Sequence, residues 1–131
     1  MPAGTVINDS TIVGTGASYS DGVVLQAGGT VANFGTILGT AGYNSLGVAI
    51  GGGGGVVTNG ASGSSAALIV GSYAGVEAAT VVNFGTIASV GTSRQGVFLD
   101  DNGTLVNYGT ITGGKAVYTR GAISLTNALG G

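Results

Sequence analysis

The chain has 131 residues, 44% hydrophobic and only 6% charged, with three Lys or Arg against five Asp or Glu for a net charge of −2. Disordered chains are charge-rich and poor in β-branched residues, and collagen needs glycine at every third position, so neither description fits a chain whose 29 glycines follow no such period. Three cations cannot form a nucleic-acid face, no apolar run reaches the ~20 residues of a membrane-spanning helix, and the absence of cysteine and histidine removes disulfides and the commonest metal ligands.

Taken in chain order, the pattern begins at Thr5-Val6-Ile7-Asn8-Asp9-Ser10-Thr11-Ile12, directly after Met-Pro-Ala-Gly and without the charged start and apolar stretch of a secretory signal. Gly22-Val23-Val24-Leu25 follows. Then comes the clearest phrase, Thr30-Val31-Ala32-Asn33-Phe34-Gly35-Thr36-Ile37, and after it Gly47-Val48-Ala49-Ile50. A five-glycine run at 51–55 leads into the reduced copy Val56-Val57-Thr58-Asn59-Gly60, an insertion Ala61-Ser62-Gly63-Ser64-Ser65, and Leu68-Ile69-Val70. Gly75-Val76-Glu77-Ala78 is a partial copy of the glycine phrase. The long phrase returns as Thr80-Val81-Val82-Asn83-Phe84-Gly85-Thr86-Ile87 and as Thr104-Leu105-Val106-Asn107-Tyr108-Gly109-Thr110-Ile111, with Gly96-Val97-Phe98-Leu99 between them. Ala116-Val117-Tyr118-Thr119 and Ser124-Leu125-Thr126-Asn127 close the series.

The asparagines Asn8, Asn33, Asn59, Asn83, Asn107 and Asn127 therefore fall 25, 26, 24, 24 and 20 residues apart. Glycine and β-branched residues dominate and no apolar stripe at period 3.6 is sustained, which excludes helix. A period of about 25 residues is too short for a propeller blade and lacks the leucine grammar of leucine-rich repeats. Three strands of two to four residues with tight corners fit it, and this is one turn of a parallel β-helix. The expected fold is all-β, a β-solenoid of about five coils in a single domain over 1–131, with one irregular coil whose glycine-rich loop spans 51–66.

Alternation assigns faces within each coil. Val31, Val81 and Leu105 point inward, Ala32 and Val82 outward, and the asparagine inward again at the corner. Ile12, Ile37, Ile87 and Ile111 are expected to form one buried column and Leu25, Ile50 and Leu99 another. An inward asparagine needs partners, so the six asparagines are expected to hydrogen-bond up and down the stack as a structural ladder. Phe34, Phe84 and Tyr108 follow the asparagine at equivalent places and are expected to stack as a corner ladder.

Little here carries chemistry. Asp100 and Asp101 are the only adjacent carboxylates, but they precede the turn dipeptide Asn102-Gly103 and have no histidine to act with, so they read as a solvated corner. The glycine run lacks the lysine of a phosphate loop and the aspartates of a calcium-binding repeat. The expectation is a non-enzymatic protein with no cofactor and no metal. Thr5, Thr30, Thr80 and Thr104 can align, as can Thr11, Thr36, Thr86 and Thr110. Ice-binding solenoids usually set two threonine ranks on one strand, whereas these ladders fall on different strands and skip the middle coil, so ice binding ranks last. Asn8-Asp9-Ser10 and Asn102-Gly103-Thr104 match the glycosylation pattern, a weak signal in a chain rich in Asn, Ser and Thr.

The phrase Thr-Val-x-Asn-Phe/Tyr-Gly-Thr-Ile, followed by Gly-Val-x-Leu, resembles the β-strand repeats in passenger domains of bacterial autotransporter and haemagglutinin-like adhesins. The resemblance runs from Gly4 to about Asn127. It implies a right-handed parallel β-helix and a secreted or surface protein of a Gram-negative bacterium.

Solenoids normally end in polar caps, and none is readable here. The ends also differ in charge, with Asp9 and Asp21 near one and Lys115 and Arg120 near the other, four residues expected to make end-to-end contacts. The leading expectation is a structural subunit that stacks head-to-tail into an extracellular filament of a surface or biofilm, the next chain completing the last coil. The alternative is an excerpt of a longer adhesin passenger that mediates attachment. The expected partner is the chain itself, with a surface glycan or a host or abiotic surface as a further one, and no nucleic acid or membrane span.

Overall fold

The computed structural model describes residues 3–128. Every regular element in them is a β-strand. The first coil consists of β1 (Gly4–Asn8), β2 (Thr11–Val13) and β3 (Val23–Leu25), and the second of β4 (Gly29–Asn33), β5 (Thr36–Gly39) and β6 (Leu46–Ile50). The third holds β7 (Gly55–Asn59), β8 (Leu68–Gly71) and the first half of β9 (Ala74–Asn83). β9 turns the corner into the fourth coil, which continues through β10 (Thr86–Ser89) into β11 (Gln95–Asn107). β11 likewise enters the fifth coil, completed by β12 (Thr110–Thr112) and β13 (Lys115–Thr119), and β14 (Ser124–Asn127) opens a sixth.

All strand pairs are parallel and join equivalent residues of successive coils, so the chain is a β-solenoid with three faces. The first face is β1, β4, β7, the ends of β9 and β11, and β14, in the register Thr5–Thr30–Val56–Thr80–Thr104–Ser124. The second is β2, β5, β8, β10 and β12. The third is β3, β6, the starts of β9 and β11, and β13. The partial copies predicted at Gly75 and Ala116 take their places here, Val48 pairing with Val76 and Val97 with Val117.

The inward columns meet on the axis. Val31, Val57, Val81 and Leu105 of the first face, Ile37, Ile69 and Ile87 of the second, and Val48, Val76 and Val97 of the third are all 0% exposed. Each such side chain contributes roughly 1.5–3 kcal/mol relative to exposure. The columns lose cover at the ends: Val6, Ile12 and Leu25 in the first coil, and Ile111, Val117 and Ile123 beyond the fourth, are only partly buried. Outward, the first face carries two ranks per strand. One is the Thr/Val/Ser rank just named; the other runs Ile7, Ala32, Thr58, Val82, Val106, Thr126.

The third face opens on a glycine in four coils, and packing demands it. A Cβ on Gly47 would stand 2.4 Å from Ile69 Cγ2 and 2.6 Å from the Gly75 carbonyl oxygen of the following coil. Gly22, Gly75 and Gly96 face the same obstruction. Ala116 takes this position in the fifth coil, over which the described residues place no further third-face strand.

The irregular third coil differs from the expected single loop over 51–66. The segment is two corners separated by β7. Residues 51–54 turn between the third and first faces, with Gly52 and Gly53 at φ of 78° and 74°, while Gly55 is already in the ladder opposite Gly29. The insertion lies on the next corner, closed by a bridge between Ala61 and Ser64. Period, rather than glycine content, decides what is strand here.

Candidate functional site

The asparagines form one continuous row. Asn8 Nδ2 donates to Asn33 Oδ1 at 2.7 Å, and the same bond at 2.8 Å links Asn33 to Asn59, Asn59 to Asn83, Asn83 to Asn107 and Asn107 to Asn127. The first five rungs are also tied to backbone: Asn33 Nδ2, for example, reaches the Gly35 oxygen at 3.0 Å and the Leu68 oxygen of the next coil at 3.2 Å. The Asn8 oxygen accepts from the Ser10 amide at 3.2 Å. Every Asn-to-Asn bond is donated in one direction, from the lower-numbered coil to the higher. The row is therefore polar along the solenoid axis. Asn33, Asn59 and Asn83 are 0% exposed. Asn8, itself 5% exposed with its amide nitrogen bonded to Asn33, is a poor glycosylation acceptor.

A second, shorter polar row escaped the sequence reading. Ser20 N donates to Ser45 Oγ at 2.7 Å and Ser45 N to Ser72 Oγ at 3.1 Å, while Ser72 Oγ donates to the Gly42 oxygen. The signal was a serine two residues before the third-face glycine, in Ser20-Asp21-Gly22 and Ser45-Leu46-Gly47. It shifts by one residue at Ser72, which hid it.

Of the four residues expected to make end-to-end contacts, three are engaged within the chain. Asp21 Oδ1 accepts from the Leu46 amide at 2.7 Å, so it joins the first coil to the second. Arg120 lies over the Phe98 ring at 4.9 Å and Lys115 over the Tyr118 ring at 5.0 Å, both on the flank of the third face. Only Asp9 is exposed without such an engagement. The corner aromatics are also partly corrected. Phe84 and Tyr108 stack at 4.9 Å and 6°. Phe34 is 46% exposed and outside that stack, because the next coil has Gly60 where a ring would stand. A pair not foreseen, Phe98 and Tyr118, stacks at 5.3 Å on the third face.

Charge is segregated. The strand segments of the first and second faces carry no charged residue, β9 and β11 contributing only their ends Thr80–Asn83 and Thr104–Asn107, and Glu77, Asp100, Asp101 and Arg120 gather with residues 51–53 around a cleft of about 380 Å³ beside the third face. Burial, and after it the Asp100 carboxylate, pushes the Glu77 carboxyl above the usual range, opposed by Arg120. Among the described residues no group of three or more His, Cys, Asp or Glu is placed to hold a metal ion, and no helix is long and apolar enough to cross a membrane.

Among the described residues, the strands at the two ends are paired on one side only: β1, β2 and β3 with β4, β5 and β6, and β12, β13 and β14 with β10 and β11. Leu125, in the column whose members are fully buried in the middle coils, is 53% exposed. Comparison of the chain with protein-family models, curated proteins and solved structures gives no match to any of them.

Proposed function

We propose that this chain is a non-enzymatic structural subunit that joins head-to-tail into an extracellular β-solenoid filament. The observation that carries the reading is the one-way asparagine row ending at two open sheet edges. Continuing the row requires the last coil of one copy to meet the first coil of the next, so that Asn127 donates to the next copy's Asn8. Two copies joined through like ends would oppose oxygen to oxygen or amide to amide. Such a heterologous contact does not close on itself, and it gives fibres.

The joint runs through the first face. That face has six strands where the other two have five, because β1 and β14 both belong to it. β14 offers its free edge to the next copy's β1, bringing the half-buried Val6 over the exposed Leu125. Ala116 argues for the same geometry. Its methyl stands where a Cβ on Gly96 would meet the next coil's carbonyl at 2.7 Å, so a coil stacked directly on the third face is obstructed. In this joint the second and third faces stand one strand spacing farther apart. The location outside the cell rests on the repeat's resemblance to adhesin passengers.

The test is a pair of cysteines in a chain that has none. Thr5→Cys and Ser124→Cys lie at opposite edges of the first face, about 24 Å apart at 4.8 Å per strand, far beyond the ~7 Å limit for a disulfide within one copy. Across the joint they become neighbours. Oxidation should give a ladder of covalent multimers on a non-reducing gel, and fibres should be visible by negative stain. A chain that stays monomeric and uncrosslinked at high concentration overturns the reading, and an intact mass showing that the native product is much longer would favour a segment of an adhesin passenger instead.

A further inference from the structure

We infer that the first face is a lateral packing surface for a second solenoid of the same chain, effective only after copies have joined end to end; this rests on the filament reading above. The face is in register over six strands, and none of the strand segments that form it carries a charge. A soluble surface is ordinarily about 25–35% charged. Here one outward rank is mostly hydroxyl-bearing, starting at Thr5, and the other mostly aliphatic, starting at Ile7. Ile7 is 67% and Val56 39% exposed.

Area identifies the occupant. Six strands about 4.8 Å apart, each of about five residues at 3.3 Å, make a face of roughly 450 Å². A stable interface needs about 800 Å² from each partner, so two single chains fall short. Two joined copies offer about twice the single face and cross that threshold. The joint proposed above keeps this face continuous through the β14–β1 pairing and interrupts the other two. The second face is equally free of charge, but its strands are fewer and shorter. Face to face, the ranks of one solenoid enter the grooves between the ranks of the other, with sheets about 10 Å apart and water excluded.

The experiment compares full-length variants by thermal unfolding, negative stain and fibre diffraction. Val82→Lys and Thr30→Lys place a charge on different strands and different ranks of the first face. Ala49→Lys places the same charge on the third. The parent and Ala49→Lys should give bundled filaments with a sheet-to-sheet reflection near 10 Å. Val82→Lys and Thr30→Lys, still folded, should give single solenoids without that reflection. Bundling of both first-face variants, dispersal by Ala49→Lys, or a parent whose filaments are always single overturns the inference and leaves the end-to-end reading standing. A parent that forms no filament overturns both.

Discussion

Asn33 donates its side-chain amide to the carboxamide oxygen of Asn59 at 2.8 Å, across 26 positions of sequence and one step of the stack. Neither residue is exposed to solvent. The bond is one of five in a row, so its neighbours depend on both partners.

Replacing the middle rung should be costly. Asn59→Ala strands the Asn83 oxygen and leaves the Asn33 amide short of an acceptor, at about 1–3 kcal/mol for each buried group left unpaired. Asn127→Ala, at the exposed end of the row, should cost less than about 1 kcal/mol. Urea midpoints of the two variants check the order, and equal losses would mean that the row is not cooperative with the core.

The third-face glycines predict a sharp asymmetry. Gly47→Ala puts a methyl 2.6 Å from the Gly75 carbonyl oxygen, where backbone has to move, and should destabilise by about 3 kcal/mol or more. Ala116→Gly, at the equivalent place in the fifth coil, should cost no more than about 1 kcal/mol, the backbone entropy of a glycine. Thermal unfolding of both variants decides the matter.

The Glu77 carboxyl gives a pH signature. Burial, then Asp100, holds its pKa above the usual range, so the folded chain binds this proton more tightly than the unfolded one. The resulting stability is full below the ordinary glutamate range and is lost as pH rises through the raised value. Glu77→Gln should therefore be more stable than the parent at neutral pH and show a flatter stability profile just above that range. Arg120→Gln removes the opposing charge and should extend the loss to higher pH. Denaturation curves across mildly acidic to neutral pH measure both.

Much of this is legible in the sequence. The spacing of the asparagines defined the coil, and the register pairs them as written, because a parallel stack repeats whatever the sequence repeats. Val56 and Leu68 interrupt the threonine ladders without disturbing the strands, since outward positions tolerate either type. What stayed hidden depends on neighbours across coils. Nothing local in Arg120 marks it as lying over Phe98, a ring of the preceding coil, and its place late in the chain points to the end surface instead. Phe34 matches the stacking position in sequence, but Gly60, one coil on, offers it no ring.

Leu125 separates folding from assembly. It occupies an inward column but is 53% exposed, so Leu125→Lys should leave the chain folded, with an unfolding midpoint close to the parent's, and abolish growth at the β14 edge. Val90→Lys, at a corner position 65% exposed, is the matched control and should assemble normally. Sedimentation velocity distinguishes them, and equal assembly by both would remove β14 from the joint.

The asparagine row also decides how the protein ages. Asn59-Gly60 and Asn102-Gly103 are the sequences most prone to deamidation, in which the glycine nitrogen attacks the side-chain carbonyl carbon to form a succinimide. At Asn59 that nitrogen is held by the Asn33 backbone oxygen at 2.7 Å and the carboxamide is fixed between its neighbours. Asn102 is exposed, in a left-handed turn with φ of 62°, and has no place in the row. Chemical wear therefore falls on a surface corner, and the interior rungs keep their amides for as long as the coils stay closed.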